Sequence, residues 1–242
     1  MKLLLATRNA HKVGEISRIG EGLPIEWVSL RAFPGLAEVE EDGETLEENA
    51  AKKAVVPARS SGLWTLADDT GLEVKALDGQ PGVRSARYAG PGCDYAANNQ
   101  KLLQALAGVP AGERGASFRC VMALASPEGR LLIEEGRLEG AITEAPRGSE
   151  GFGYDPIFLV TEAGKTLAEM TAEEKNALSH RALALSRMRP HLRQVASESG
   201  GVLRTASQRR ASRCPLCGLE MEAWHCRERC PGCGYQIDCS DG

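Results

Sequence analysis

The chain opens on an apolar run, Lys2 to Ala6, that suits a buried strand, and breaks at once into the polar stretch Thr7-Arg8-Asn9-Ala10-His11-Lys12. Val13, Ile16 and Ile19 then recur at helical spacing, so the opening reads strand, polar loop, helix. Trp27 to Leu30 predicts a second strand. Thr45 followed three residues later by Glu48 has the capping-box spacing and predicts a helix that Pro57 kinks or ends. Leu63 to Ala67 is a third apolar run, ended by Asp68-Asp69-Thr70-Gly71, and Leu72, Val74 and Ala76 then alternate with polar residues as a half-buried strand. Leu102, Leu103 and Leu106 form the apolar side of a helix from about Asp94 to Ala107. Phe118, Cys120, Met122 and Leu124 alternate as a strand, and Ser126 to Gly129 turns the chain into Leu131 and Ile133. A glycine-rich loop, 148–156, leads to a strand over Ile157 to Val160. Thr171 with Glu174 repeats the capping-box spacing, and the helical pattern continues towards Arg189 until Pro190 stops it. No internal repeat interrupts this order. The alternation predicts an α/β fold with a mixed sheet flanked by helices, in which ligands bind at the carboxyl ends of strands.

Length adds a second module to this picture. The 242 residues hold one large domain and a small appendage, and six of the eight cysteines (Cys214, Cys217, Cys226, Cys230, Cys233 and Cys239) crowd the last thirty residues. The expected organisation is a domain over 1–196, a Ser-, Gly- and Arg-containing linker over 197–211, and a cysteine-rich module over 212–242. Hydrophobic residues at 42% and charged residues at 26% exclude wholesale disorder. Lys and Arg total 29 against 33 Asp and Glu, so the whole chain carries no nucleic-acid footprint. An acidic enzyme that handles phosphates then needs metal ions or a local group of cations. No apolar run approaches the ~20 residues of a membrane span, and the opening residues are too short for a signal peptide, so a cytoplasmic protein is expected.

Four clusters carry candidate chemistry. Thr7, Asn9 and Lys12 place a hydroxyl, an amide and an ammonium at a helix N-terminus, a phosphate cradle or simply a solvated turn. Asp68 and Asp69 are adjacent carboxylates that repel and lose hydration unless a cation is near, so they read as magnesium ligands or as turn-capping residues. The acidic stretch from Glu38 to Glu48 could add a further carboxylate, or be a solvated face. Phe152-Gly153-Tyr154-Asp155 offers a ring to stack on a planar base, or one that packs on the core. Lys175, Ser179, His180 and Arg181 supply donors for carbonyl or phosphate oxygens, or form a solvated helix face.

In wording and order these clusters resemble the Ham1-type inosine triphosphate pyrophosphatases, a family of non-canonical purine nucleoside triphosphate hydrolases. The matching stretches are Thr7 to Lys12, Glu48-Asn49-Ala50, Ala67 to Leu72, Pro81 to Tyr88, Gly151 to Pro156 and Ser179-His180-Arg181, colinear over roughly residues 1 to 195. The resemblance implies an elongated mixed sheet of the Ham1/Maf-like kind and hydrolysis of ITP, dITP and XTP to the monophosphate and pyrophosphate. It implies that Thr7, Arg8, Asn9, Ala10, His11 and Lys12 form the triphosphate loop, with Lys53 a second phosphate cation. Asp69 would be general base and magnesium ligand, with Asp68 and Glu41 as further metal contacts and Thr70 touching substrate. Phe152 would stack on the purine, Gly153, Tyr154 and Asp155 would complete that wall, and Lys175, Ser179, His180 and Arg181 would read the edge of the base. Family members are homodimers, and the same is expected here.

The tail departs from that pattern. Cys214-x2-Cys217 and Cys230-x2-Cys233, twelve residues apart, have the spacing of a structural zinc ribbon, with Cys226, Cys239 and His225 as spare ligands. Free thiols or a disulfide are the alternatives. A different class of function stays open, in which the ribbon, preceded by Arg204, Arg209, Arg210 and Arg213, binds nucleic acid or a partner beside an inactive core. A pyrophosphatase of other base preference is a further alternative.

Overall fold

The structure is a computed structural model, and it describes residues 1–36, 39–205, 222–224, 227–229 and 236–238, with side chains described through residue 198. Met1–Gln194 and Val195–Gly242 are separate compact units. Among the described residues no helix is long and apolar enough to cross a membrane.

The first unit is built on a mixed sheet. Strands β1 (Lys2–Leu5), β2 (Glu26–Ser29), β3 (Thr65–Val74), β4 (Pro81–Gly82), β5 (Gly115–Ala125), β6 (Leu131–Ile142), β7 (Phe158–Val160) and β8 (Lys165–Thr166) stand in the order β2-β1-β3-β5-β6-β7-β8, with β4 also pairing β3. The β1 strand is parallel to both neighbours, and every pairing from β3 onwards is antiparallel. Helices α1 (Ala10–Ile19), α2 (Leu46–Ser61), α3 (Tyr95–Ala105), α4 (Ala172–Leu178) and α5 (His180–Thr205) connect and cover it. Ala50, Ala54 and Ala58 repeat every fourth residue along α2 and are fully buried with Leu4, Val121 and Ala123, so small side chains let the helix lie close on the sheet. A second apolar cluster gathers Leu72, Val74, Leu102, Leu106, Phe118, Ile157 and Phe158.

Both capping boxes form. The Thr45 hydroxyl accepts from the Glu48 amide at 3.1 Å, and that of Thr171 accepts from the Glu174 amide at 3.2 Å. The expected helix near Asp94 starts with the Asp94 carboxylate accepting from the Ala97 amide. Neither proline ends its helix. Pro57 sits inside α2, which stops only at left-handed Gly62, because the buried alanine ladder continues past it. Pro190 sits inside α5, where Leu185, Met188, Leu192 and Val195 keep a buried stripe on both sides of it. Helix α5 runs on to Thr205, into the segment whose composition reads as a linker. The break falls earlier, at Ser179, whose extended backbone (ψ 153°) divides α4 from α5 and whose Oγ accepts from the Ala182 amide.

The sharpest difference concerns Asp68-Asp69-Thr70-Gly71. These residues do not end a strand; they lie in the middle of β3, paired in order with Met122, Val121, Cys120 and Arg119 of β5. On its other edge β3 meets β1 only at Thr65 and Leu66 and meets β4 only at Leu72 and Glu73. Residues 67–71 therefore face a gap in the sheet just beyond the carboxyl end of β1. Of the polar residues that look like a loop in sequence, Asp69 and Thr70 line that opening.

In the second unit, β9 (Glu222–Trp224), β10 (Arg227–Arg229) and β11 (Gln236–Asp238) form an antiparallel sheet in the order β11-β10-β9. Cys214, Cys217, Cys230 and Cys233, and the spare ligands His225, Cys226 and Cys239, lie outside the described residues.

Candidate active site

The gap beside β3 opens into a cavity of about 570 Å³. Its walls include Thr7, Arg8, Asn9, Lys12, Glu41, Lys53, Asp69, Thr70, Phe152, Gly153, Tyr154, Asp155, Lys175, His180 and Arg181, so most of the expected site residues converge. Ala10, His11, Asp68 and Ser179 do not line it, and each has a different task.

The loop after β1 is organised by Asn9. As N-cap of α1 its Oδ1 accepts from the amides of His11 at 2.9 Å and Lys12 at 3.4 Å. Those N–H groups are therefore occupied by Asn9, and the cations at the cavity from this stretch are Arg8 and Lys12. Ala10 begins α1, and the exposed His11 ring stacks on Phe152, with centroids 5.4 Å apart. Ser179 is buried and serves the break between α4 and α5.

Asp68 and Asp69 are neighbours with opposite surroundings, because alternate residues of a strand point to opposite faces. Asp69 faces α2. Its Oδ1 takes the Lys53 ammonium at 3.0 Å and its Oδ2 accepts from the Asn49 amide at 3.2 Å. Burial raises its proton affinity more than Lys53 and Lys12 lower it, and the nearby Glu41 carboxylate pushes the same way as burial. Asp68 faces the other side. Its Oδ2 meets Lys12 at 2.9 Å, the Arg181 guanidinium at 3.2 Å and the Thr70 hydroxyl at 3.3 Å. Burial alone would favour its protonated form, but Lys12, Arg181 and Lys53 together hold the carboxyl far below its ordinary range.

The ion pairs continue from Asp68. Arg181 also bonds Glu15, Glu15 meets Lys175 at 2.8 Å, and Lys175 meets Asp155 at 2.7 Å. Asp155 accepts in turn from the Phe152 amide at 2.8 Å, which fixes the loop carrying Phe152 to this charge network. Glu15 was not expected. On an amphipathic helix a glutamate reads as a solvated residue, and only the folding of α1 against α4 and α5 reveals its two cations. Asn49 lay inside a matching stretch without a role; it bonds Asp69 and also accepts from the Gly43 amide at 2.8 Å.

His180 and Arg181 begin α5, which approaches β6 over Gly136. A Cβ at Gly136 would lie inside contact distance of the His180 carbonyl and the Ala184 amide nitrogen, so only glycine permits this approach. The His180 ring is buried and stacked on Phe118, with centroids 4.6 Å apart. Burial first, then the positive charges of Arg181 and Lys175, hold its pKa well below 6.5, so the ring is neutral. Among the described residues, His180 Nδ1 and Arg181 Nε are two of four buried side-chain atoms without a hydrogen-bond partner. A buried polar atom left unpaired costs about 1–3 kcal/mol.

A three-carboxylate magnesium site does not form. Among the described residues no three His, Cys, Asp or Glu side chains converge on one point. Glu41 and Asp69 do converge, on Lys53 at 2.7 and 3.0 Å, whereas Asp68 turns to Lys12 and Arg181 on the opposite face. Two carboxylates are a hard-oxygen donor set that fits magnesium, which binds one or two carboxylates together with substrate phosphates.

Comparison with known proteins agrees with this geometry. A "dITP/XTP pyrophosphatase" of Geobacter sulfurreducens is 54% identical over 191 residues, covering 79% of this chain and 96% of that one. The Ham1 protein of Staphylococcus aureus superposes with a TM-score of 0.72 at 35% identity, over 79% of this chain and 98% of that one. A HAM1 protein from Coxiella burnetii gives 0.71 at 40% identity, over 83% and 99%. Residues 3–191 match the Ham1 family, and with the cavity, its cations and its buried carboxylates in the expected order, this chain belongs to that family.

Proposed function

We infer that the chain hydrolyses non-canonical purine nucleoside triphosphates, dITP, ITP and XTP, to the monophosphate and pyrophosphate, and so removes them from the nucleotide pool. The relatives that match most of its length carry the name dITP/XTP pyrophosphatase. The observation that carries the reading is one cavity whose walls bring Lys12, Lys53, Glu41 and Asp69 together with Phe152, His180 and Arg181.

The base is read by donors. Hypoxanthine and xanthine carry an oxygen at position six, where adenine carries an amine. A neutral imidazole with one N–H and a guanidinium match that oxygen and oppose the amine, and a site of buried donors strongly rejects a partner that leaves them unpaired. Lys12 and Lys53 hold the phosphates. Water attacks the α-phosphorus, its oxygen forms the new P–O bond, the bond to the β-phosphate oxygen breaks, and pyrophosphate departs. Asp69, whose proton affinity burial raises, takes the proton of the water and passes it to solvent. Glu41 and Asp69 would hold magnesium, which when bound supplies charge neutralisation at the phosphates and a more acidic water.

A panel of triphosphates assayed for pyrophosphate release tests the reading. Preference for ITP, dITP and XTP over ATP is expected, and preference for ATP would refute it. Asp69→Asn should lower kcat about 10²- to 10⁴-fold with ITP binding retained. Activity that survives exhaustive chelation would remove magnesium from the scheme. The reaction acts on the nucleotide pool, so we assign it to the cytosol, and to a homodimer, which light scattering of the purified chain tests. An inactive core is not favoured, because Lys12, Lys53, Asp69 and Arg181 all line one cavity and the relatives carry the name of a pyrophosphatase.

For the tail we propose structural zinc on Cys214, Cys217, Cys230 and Cys233, supported by their C-x2-C spacing. So short a segment buries too little apolar surface to fold unaided. Metal analysis of protein purified under reducing conditions should find zinc, and its absence would end this assignment.

A further inference from the structure

Phe152 does not stand alone at its end of the cavity. Tyr95, the first residue of α3, lines the same space, with its ring centre 6.1 Å from that of Phe152 and the planes 42° apart. Its hydroxyl accepts from the Asn9 side-chain amide at 3.5 Å, in the loop at the phosphate end. One phenol ring thus reaches from the base wall to the phosphate loop. Four residues further along α3, the Asn99 amide donates to the Gly153 carbonyl at 3.0 Å. That bond ties the helix carrying Tyr95 to the loop carrying Phe152. Tyr95 belongs to neither apolar cluster and is 38% exposed, so packing of the fold does not account for it.

Resting on the reading of the cavity as a purine nucleotide site, we propose that Tyr95 is the second aromatic wall of the nucleoside subsite and closes with Phe152 on the base and its sugar. Two rings stacked on either side of a base stand about 7 Å apart, twice the ~3.4 Å stacking rise. The 6.1 Å separation therefore needs to widen by only about 1 Å as the tilt flattens. The Phe152 loop can supply that movement, because Gly151 and Gly153 on either side have φ values of 78° and 67°. Tyr95 stays in place, since α3 begins on the Asp94 cap. Its ring is apolar on the face that meets the nucleoside and polar at the tip that meets Asn9, the division that suits tyrosine at a half-wet boundary.

Steady-state ITP hydrolysis by wild type, Tyr95→Leu and Tyr95→Phe tests this, alongside inhibition by inorganic tripolyphosphate, which lacks base and sugar. Loss of one base–aromatic stack weakens binding about 5- to 150-fold, so Tyr95→Leu should raise KM for ITP into that range. Tyr95→Phe, which keeps the ring, should stay near wild type. Tripolyphosphate should inhibit all three equally, and thermal midpoints should coincide because the position is exposed. An unchanged KM in Tyr95→Leu overturns the proposal. An equal loss of tripolyphosphate affinity does too, since it would make Tyr95 a support of the Asn9 loop. Calorimetric titration with IMP repeats the comparison without turnover. A wild type that binds IMP yet leaves ITP intact refutes the hydrolysis reading and keeps Tyr95 testable; one that binds neither nucleotide overturns both.

Discussion

His180 should make this protein acid-sensitive in a way that one substitution removes. In the fold its ring is neutral, because burial and the charges of Arg181 and Lys175 exclude a proton. In the unfolded chain the same ring titrates near 6.5. As pH falls through that value the unfolded state gains a proton that the folded state refuses, so stability is full above 6.5 and declines below it. With the folded ring neutral throughout, the loss between pH 8 and pH 5 is about 2 kcal/mol. For a domain of this size that is about 4–8 °C in Tm. Chemical denaturation of wild type and His180→Gln at several pH values isolates this contribution, since every other titratable group is common to both proteins and cancels in the difference. Wild type should lose about 2 kcal/mol more than the variant over that range. Parallel curves would show that the folded ring accepts a proton, and the argument for a neutral N–H reading an oxygen would fail with it.

Three further outcomes follow from the same geometry. Asn49→Ala should lower kcat for ITP about tenfold with KM unchanged, because it frees Asp69 to turn without touching the phosphate or base contacts; a change in KM alone would be the wrong result. Arg119 ties Glu47, Glu73 and Glu135 together at about 3 Å on a partly exposed face, and Arg119→Met should cost about 1 kcal/mol in urea unfolding at low salt and less in high salt, as screened surface pairs do. Gly136→Ala should force α5 away from β6 and cut kcat/KM for ITP about 100-fold, since displacements of about 1 Å in a catalytic group have that effect; unaltered kinetics would mean that the start of α5 is not positioned by this contact.

What could be read from the sequence depended on whether a residue's partner lay nearby in the chain. Thr45 with Glu48 and Thr171 with Glu174 are local pairs, and both helix starts appear where the spacing put them. The loop between β1 and α1 was visible because a strand, a polar turn and a helix follow within a few residues. Pro57 and Pro190 misled because helix continuity there is decided by buried stripes that meet distant strands and loops. Asp68-Asp69 misled for a related reason. Four polar or small residues look like a turn until the early end of β1 and the late start of β4 are known, and only then can a strand interior be polar. Glu15 and Tyr95 were invisible because their partners, Lys175 and Arg181 for one and Phe152 and Asn9 for the other, are distant in sequence. The elements bearing the site were legible; the cross-chain pairs that tune it were not.

The unbroken ladder that joins β3 to β5 from Thr65↔Ala125 to Val74↔Ala116 has a further meaning. Sliding β3 by one residue would exchange the two aspartates between the faces of the sheet, turning Asp68 towards Asn49 and Lys53 and Asp69 towards Lys12 and Arg181. Which carboxylate meets which cations is thus written into strand alignment, and a misaligned β3–β5 pair would leave both carboxylates displaced from those partners.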